Sequence, residues 1–120
     1  MSLQMCEGLE FLHRVGFCHW DIKLDNICFQ DGKYCLIDFA FAQQVYPFKK
    51  KRIQTLKGNS MFASLRKFQF HEVAEPIDDI ESLLYLTAFC MSGFNLPWLE
   101  AYLTISDTLK FIKYRLDKAH

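Results

Sequence analysis

Ile77 to Met91 is the most apolar segment of the chain, opened by Pro76 and Asp78-Asp79 and closed by Gly93. Proline and acidic residues at the start and glycine past the end match the polarity of an α-helix. Ile80, Leu83, Leu84, Leu86, Ala88 and Phe89 put apolar groups on nearly every side of that helix. A helix apolar all round is expected to be central and buried, so the remaining elements must pack around it. The chain has 120 residues, 51% of them hydrophobic, and at that size roughly two-thirds of the unfolded surface can be buried. The longest uncharged apolar stretch, Leu83 to Met91, falls far short of the ~18 residues of a membrane span.

Other segments supply the partners. Met5, Leu9 and Leu12 recur at helical spacing, so residues 3–14 read as an amphipathic helix, with Gly16 where a left-handed cap is wanted. Ile27-Cys28-Phe29 and Lys33 to Ile37 flank Gln30-Asp31-Gly32, and Asp-Gly between two short apolar runs signals a hairpin over 27–37. Residues 43–60 are polar and irregular and read as an exposed loop. The run Lys49-Lys50-Lys51-Arg52 within it is expected to be solvated surface. A last helix over about 106–118 is expected from Ile105, Leu109, Ile112 and Leu116, with Ser106 as its N-cap. Phe94 and Trp98 are expected in the core. The fold class is therefore α+β, mostly helical, with one small hairpin.

Net charge is zero, which argues against a nucleic-acid binder built on basic charge. Glu7 and Glu10 interrupt the only N-terminal apolar pattern, so no signal peptide is expected. The five cysteines are an odd number for a disulfide framework. Cys18, Cys28, Cys35 and Cys90 lie among apolar neighbours, as buried free thiols do. Cys28, Cys35 and His19 are a conceivable zinc set, but no CxxC or HxxxH spacing supports it. The expected location is intracellular, cytoplasmic or nuclear.

The chemistry lies between the first helix and the hairpin, in His19-Trp20-Asp21-Ile22-Lys23-Leu24-Asp25-Asn26, with Asp38-Phe39-Ala40 following. Phosphoryl transfer needs a carboxylate to receive the substrate hydroxyl proton, a cation at the γ-phosphate and oxygen ligands for Mg²⁺. Asp21, Lys23, Asn26 and Asp38 can supply those roles in that order. The hairpin folds the chain back and should bring Asp38 beside Asn26.

These residues resemble the protein kinase superfamily: HWDIKLDN stands where HRD-x-K-x-x-N is expected, and DFA where DFG is. LEFLHRVGFCHWDIKLDN, YCLIDFAFA, GNSMFAS and DDIESLLYLTAFCMSGFNLPW further resemble the casein kinase 1 group. Gly58 to Ser64 matches the element that this group carries in place of Ala-Pro-Glu. The resemblance spans about residues 3–98. It implies that residues 1–120 are a partial kinase domain, a large-lobe segment with the small lobe absent. It also implies Mg²⁺ and ATP as cofactors, and a protein Ser or Thr as phosphoryl acceptor. Asp21 and Lys23 would be catalytic, Asn26 and Asp38 would hold metal and nucleotide, His19 would brace the metal-loop backbone, and Asp79 rather than Asp78 would anchor the catalytic loop.

The departures matter as much. These residues contain no Gly-rich loop and no Val-Ala-Ile-Lys-like strand. Trp20 replaces the Arg of HRD, Ala40 the Gly of DFG, and Leu24 a customary Pro. Pro76-Ile77 stands where this group places a basic pair, which removes the usual basis for recognising a phosphate-primed or acidic substrate. The 120 residues alone are accordingly expected to transfer little phosphate. They are also expected to expose apolar surface near Phe39, Phe41, Ile105 and Phe111, and so to self-associate or bind a protein partner. The rival to an active kinase is a pseudokinase-like fragment serving as a binding module.

Overall fold

The computed structural model describes residues 1–45, 58–69 and 74–119. Five α-helices and two small antiparallel sheets are found among the described residues. In chain order they are α1 (Ser2–Arg14), β1 (Phe17–Cys18), a 3-10 turn (Leu24–Asn26), β2 (Ile27–Gln30), β3 (Lys33–Leu36), β4 (Gln43–Gln44), α2 (Leu65–Gln69), α3 (Pro76–Met91), α4 (Leu99–Thr104) and α5 (Thr108–Lys118). The described chain is mostly helical. None of its helices is long and apolar enough to cross a membrane.

The apolar stripe of α1 puts Met5 and Leu9 into the core, with Leu12 half-buried. Val15 ends the helix, and Gly16, at φ +95°, turns the chain into β1. In the hairpin, Ile27 faces Leu36 and Cys28 faces Cys35. Asp31 and Gly32 at the tip have φ +53° and +76°, the pair of positive angles that a two-residue hairpin turn demands. The main core joins Met5 and Leu9 to Ile22, Met61, Phe62, Leu83, Leu86 and Leu96.

α3 corrects the expectation of all-round burial. Leu83, Leu86, Asp78, Asp79 and Ser82 are buried, whereas Ile77, Ile80, Leu84 and Met91 are exposed. The described elements pack on one side of α3 only, so its second apolar stripe faces outward. The last helix also differs from its prediction. It begins at Thr108, and Asp107 rather than Ser106 caps it, accepting from the Leu109 and Lys110 amides at 2.9 and 3.4 Å. Its buried face is Phe111, Ile112 and Arg115, with Leu109 exposed. Phe111 had been expected at the surface. It lies buried because α5 is rotated to set it against Tyr102 of α4. Asp107→Ala should cost about 1 kcal/mol, read as a lower urea midpoint at unchanged slope.

Four short elements escaped the sequence: α2, α4 and the paired strands β1 and β4, where Phe17 faces Gln44 and Cys18 faces Gln43. Elements of two to six residues carry almost no periodicity and form only through tertiary packing. Of the cysteines, all free, Cys18 alone is buried, Cys28 and Cys90 are half-buried, and Cys6 and Cys35 are exposed. The hairpin is only four residues deep on each strand, too shallow to cover Cys35. Phe94 is exposed too, while Trp98 packs edge-on against Tyr85. The Lys49–Arg52 run lies outside the described residues.

Candidate active site

The site begins with one buried carboxylate. Asp79, in the first turn of α3, accepts the backbone N–H of Trp20 on Oδ1 and of His19 on Oδ2, both at 2.7 Å. The His13 ring, in the last turn of α1, donates to Oδ2 at 2.9 Å. Its neighbour Asp78 faces the other way. It accepts from Ser64 Oγ, from Arg66 Nε and Nη2, from the Trp20 indole and from the Glu75 amide that opens the helix. The two adjacent acids thus pin both the backbone and the side chain of Trp20. That pinning sustains Trp20 at φ +69°, a left-handed conformation that a bulky residue avoids unless its surroundings impose it.

His19 links the loop to the hairpin. Its Nδ1 accepts from the Asp21 amide at 3.2 Å, so Nε2 carries the proton and donates to the Ile37 carbonyl at 3.0 Å. Asn26 donates its amide nitrogen to the Asp21 carbonyl at 2.8 Å and to Asp21 Oδ2 at 3.1 Å. The Asn26 carbonyl accepts the Ile37 amide at 2.9 Å, which places Asp38 one residue from Asn26's own backbone partner. Asp38 is exposed, at φ +60°, and its Oδ1 accepts from Ala40 N at 3.1 Å. His19, Asp21, Asn26 and Asp79 are therefore one hydrogen-bonded unit. Lys23 stands at its open edge, with Nζ 4.0 Å from Asp21 Oδ2, and Asp38 joins through the backbone of Ile37.

Four contributors were not among the predicted site residues. Asn59 donates both its backbone amide and its side-chain amide to Asp21 Oδ1, each at 2.8 Å. Gly58 precedes it at φ +89°, and a Cβ there would lie 2.8 Å from Asp21 Oδ1 and 3.0 Å from Lys67 Nζ. Lys67 of α2, 2% exposed, donates to the Trp20 carbonyl at 2.7 Å. Arg115 of α5 holds the Ser60 and Ala63 carbonyls while its guanidinium lies over the Trp98 ring at 4.0 Å. Only Gly58 and Asn59 carried any signal, as part of the GNSMFAS element. Lys67 and Arg115 stand in no motif that the sequence offers.

Burial governs the electrostatics. It pulls Lys67 down to about 8, against the opposing pull of Asp21, Asp78 and Asp79. It also lowers Arg115 to about 10. Burial, reinforced by Asp79 and Asp78, pushes the Cys18 thiol above its usual range. Beside Lys23 and Asn59 a cavity of about 260 Å³ opens, lined also by Met61, Phe62, Phe89 and Tyr102. Gly58→Ala should lower stability by about 2–3 kcal/mol, because it combines left-handed strain with a clash against two buried charged groups. Urea denaturation checks this, and Gly8→Ala, where a Cβ meets open space, is the control.

Two side-chain oxygens remain that could hold a hard divalent cation. Asn26 spends its amide nitrogen on Asp21 and so keeps its amide oxygen, and Asp38 keeps a second carboxylate oxygen beside its bond to Ala40. One or two protein oxygens completed by phosphate and water is how Mg²⁺ is usually held.

Comparison with known proteins decides the family: residues 1–78 match the protein kinase domain. The chain belongs to the protein kinase family. This kinase chain is 34% identical over 103 residues to a probable casein kinase I homolog of Encephalitozoon cuniculi, covering 79% of the chain and 33% of that protein. It is 39% identical over 59 residues to the probable serine/threonine-protein kinase YbdM of Bacillus subtilis, covering 49% of the chain and 23% of the relative. It is also 31% identical over 99 residues to the serine/threonine-protein kinase PRR2 of Saccharomyces cerevisiae, covering 79% and 14%. The kinase chain thus spans at most a third of the length of these relatives.

Proposed function

We propose that the chain is the catalytic-loop and metal-loop part of a Ser/Thr protein kinase of the casein kinase 1 type, a large-lobe segment over residues 1–120. In this reading it serves transfer of the ATP γ-phosphoryl to a protein Ser or Thr. The observation that carries the reading is Asp21, 4% exposed, held by Asn59 and Asn26 with Lys23 at its open side. Asp21 would accept the proton of the attacking hydroxyl on Oδ2, the oxygen nearer Lys23. Lys23, a third exposed, would meet the γ-phosphate, and Asn26 and Asp38 would hold Mg²⁺. Bound there, Mg²⁺ would offset the charge of the phosphates. His19 and Asp79 keep the loop in shape without touching substrate. The cavity beside Lys23 and Asn59 is where the acceptor chain would lie.

A second reading, a kinase-derived module that binds a partner without turnover, is favoured by Trp20 standing where the resembling kinases carry Arg and Ala40 where they carry Gly. Exposed Phe11, Phe29 and Phe39 offer it apolar contact surface, and light scattering across a concentration series should then show self-association.

The deciding experiment is radiolabel transfer from ATP to casein, with Mn²⁺ broadening of the Asn26 and Asp38 NMR signals measured in parallel. Label on serine or threonine supports the kinase. Broadening without label supports the binding module, and the absence of both overturns the metal assignment.

A further inference from the structure

The Trp20–Asp21 peptide is gripped at both ends. Its N–H donates to His19 Nδ1 at 3.2 Å, and its carbonyl accepts from Lys67 Nζ at 2.7 Å. The same ammonium stands over the Trp20 ring, 4.5 Å from its centroid. Lys67 Nζ and Asp21 Oδ1 also flank one point, the missing Cβ of Gly58. Burying an ammonium is expensive, and an apolar side chain of similar length would fill the space at far less cost. A lysine at that depth therefore needs a use for its charge.

We propose that Lys67 is a positioning residue for Asp21: its ammonium fixes the plane of the Trp20–Asp21 peptide and faces the Asp21 carboxylate from the buried side. Asp21 then feels two cations, Lys23 at the open Oδ2 and Lys67 from the Oδ1 side, whose charge reaches it without a direct bond. The fixed peptide sets the direction in which the Asp21 side chain leaves the backbone. The Asn59 bonds then hold its rotamer. Trp20, which stands where the resembling kinases carry Arg, gives Lys67 an aromatic face to lie on. The proposal rests on reading Asp21 as the proton acceptor.

The groups around Lys67 are Asp21 and Trp20 in the loop, Asp78 and Asp79 on α3 and Cys18 on β1. Beyond these lie Arg66 on Asp78 and His13 on Asp79. Burial has already brought Lys67 down to about 8, so mild alkali can neutralise it. The sign of this linkage is favourable to the measurement. Between its folded value and the ordinary lysine value the unfolded chain binds more protons, so loss of the Lys67 proton does not itself drive unfolding.

The test uses the ¹⁵N-labelled chain without nucleotide, following the Asn59 backbone and side-chain amides, which report the Asp21 Oδ1 bonds directly. Lys67→Met should shift both signals and speed exchange of the Asn59 backbone amide on the order of tenfold relative to Leu9 in α1. Lys67→Arg should restore most of the protection. Raising wild type from about pH 6.5 to about pH 9 should reproduce the Lys67→Met shifts, a step that the Lys67→Met protein lacks. A folded Lys67→Met protein with unmoved Asn59 signals overturns the proposal. If that variant does not fold, Lys67→Gln takes its place, and unmoved Asn59 signals in that protein overturn it equally. No phosphate transfer enters these readouts, so a failed kinase assay leaves them standing, and their failure leaves the kinase reading standing.

Discussion

Asp79→Ala should destabilise the protein by about 3–5 kcal/mol, a large share of the 5–15 kcal/mol typical of a domain. Asp79 is fully buried and takes three donors: the His19 and Trp20 amides and the His13 ring. Alanine would leave all three without that acceptor, and the His19 and Trp20 amides lie where water does not reach. It would also release the strain held at Trp20, because Asp79 is the only described partner of its backbone amide. Asp79→Asn keeps one acceptor oxygen but turns an NH₂ toward a donor, so its cost should fall between wild type and alanine. Urea denaturation measures both. An Asp79→Ala midpoint indistinguishable from wild type would mean that the loop does not depend on α3.

Asp21→Asn should give the reverse pattern, a large catalytic effect with a small structural one. Where the protein transfers phosphate, the substitution should lower the rate by about 10²–10⁴-fold, the usual worth of a positioned general base. Asparagine has nearly the same shape and can still accept from the Asn59 amide. The proton of the attacking hydroxyl, however, loses its acceptor. The melting temperature should change far less than in Asp79→Ala. Lys67 loses its largest favourable partner in this variant, so its ammonium should give up its proton more readily still. The two variants together separate what builds the loop from what the loop does.

Local elements were legible in the sequence because their signals are local. The Asp31-Gly32 turn, the α1 stripe and the Pro76 start of α3 each rest on residues within one or two turns of one another. The α5 prediction found the helix and placed Ile112 and Leu116 correctly on its packed side. It took Leu109 for core and missed Phe111 and Arg115, because Ile105, Leu109, Ile112 and Leu116 fit helical spacing as well as the true face does. Only contact with α4 and α2 selects Phe111, Ile112 and Arg115. The site itself was half legible. His19, Asp21, Lys23 and Asn26 fall within eight consecutive residues and carry a recognisable order. Asn59, Lys67 and Arg115 reach the loop or its cover from 38, 47 and 55 residues away; the GNSMFAS element marks the neighbourhood of Asn59, and nothing marks those of the other two.

The bond between Trp20 and Asp79 spans 59 residues, and this has a consequence for the order in which the molecule assembles. Closing so long a loop costs chain entropy that no nearby contact repays. The left-handed Trp20 adds a local penalty until α3 has docked. The hairpin, whose strands are joined by two residues, carries no such cost and should form on a timescale of about 1–10 μs. In pulse-labelled refolding, the Cys28 and Cys35 amides, which face each other across the hairpin, should therefore gain protection well before those of His19 and Trp20. In native-state exchange the order should invert, with the catalytic loop opening at lower free energy than the α1 core. The loop around Asp21 is expected to be the last part of the chain to close and the first to let go.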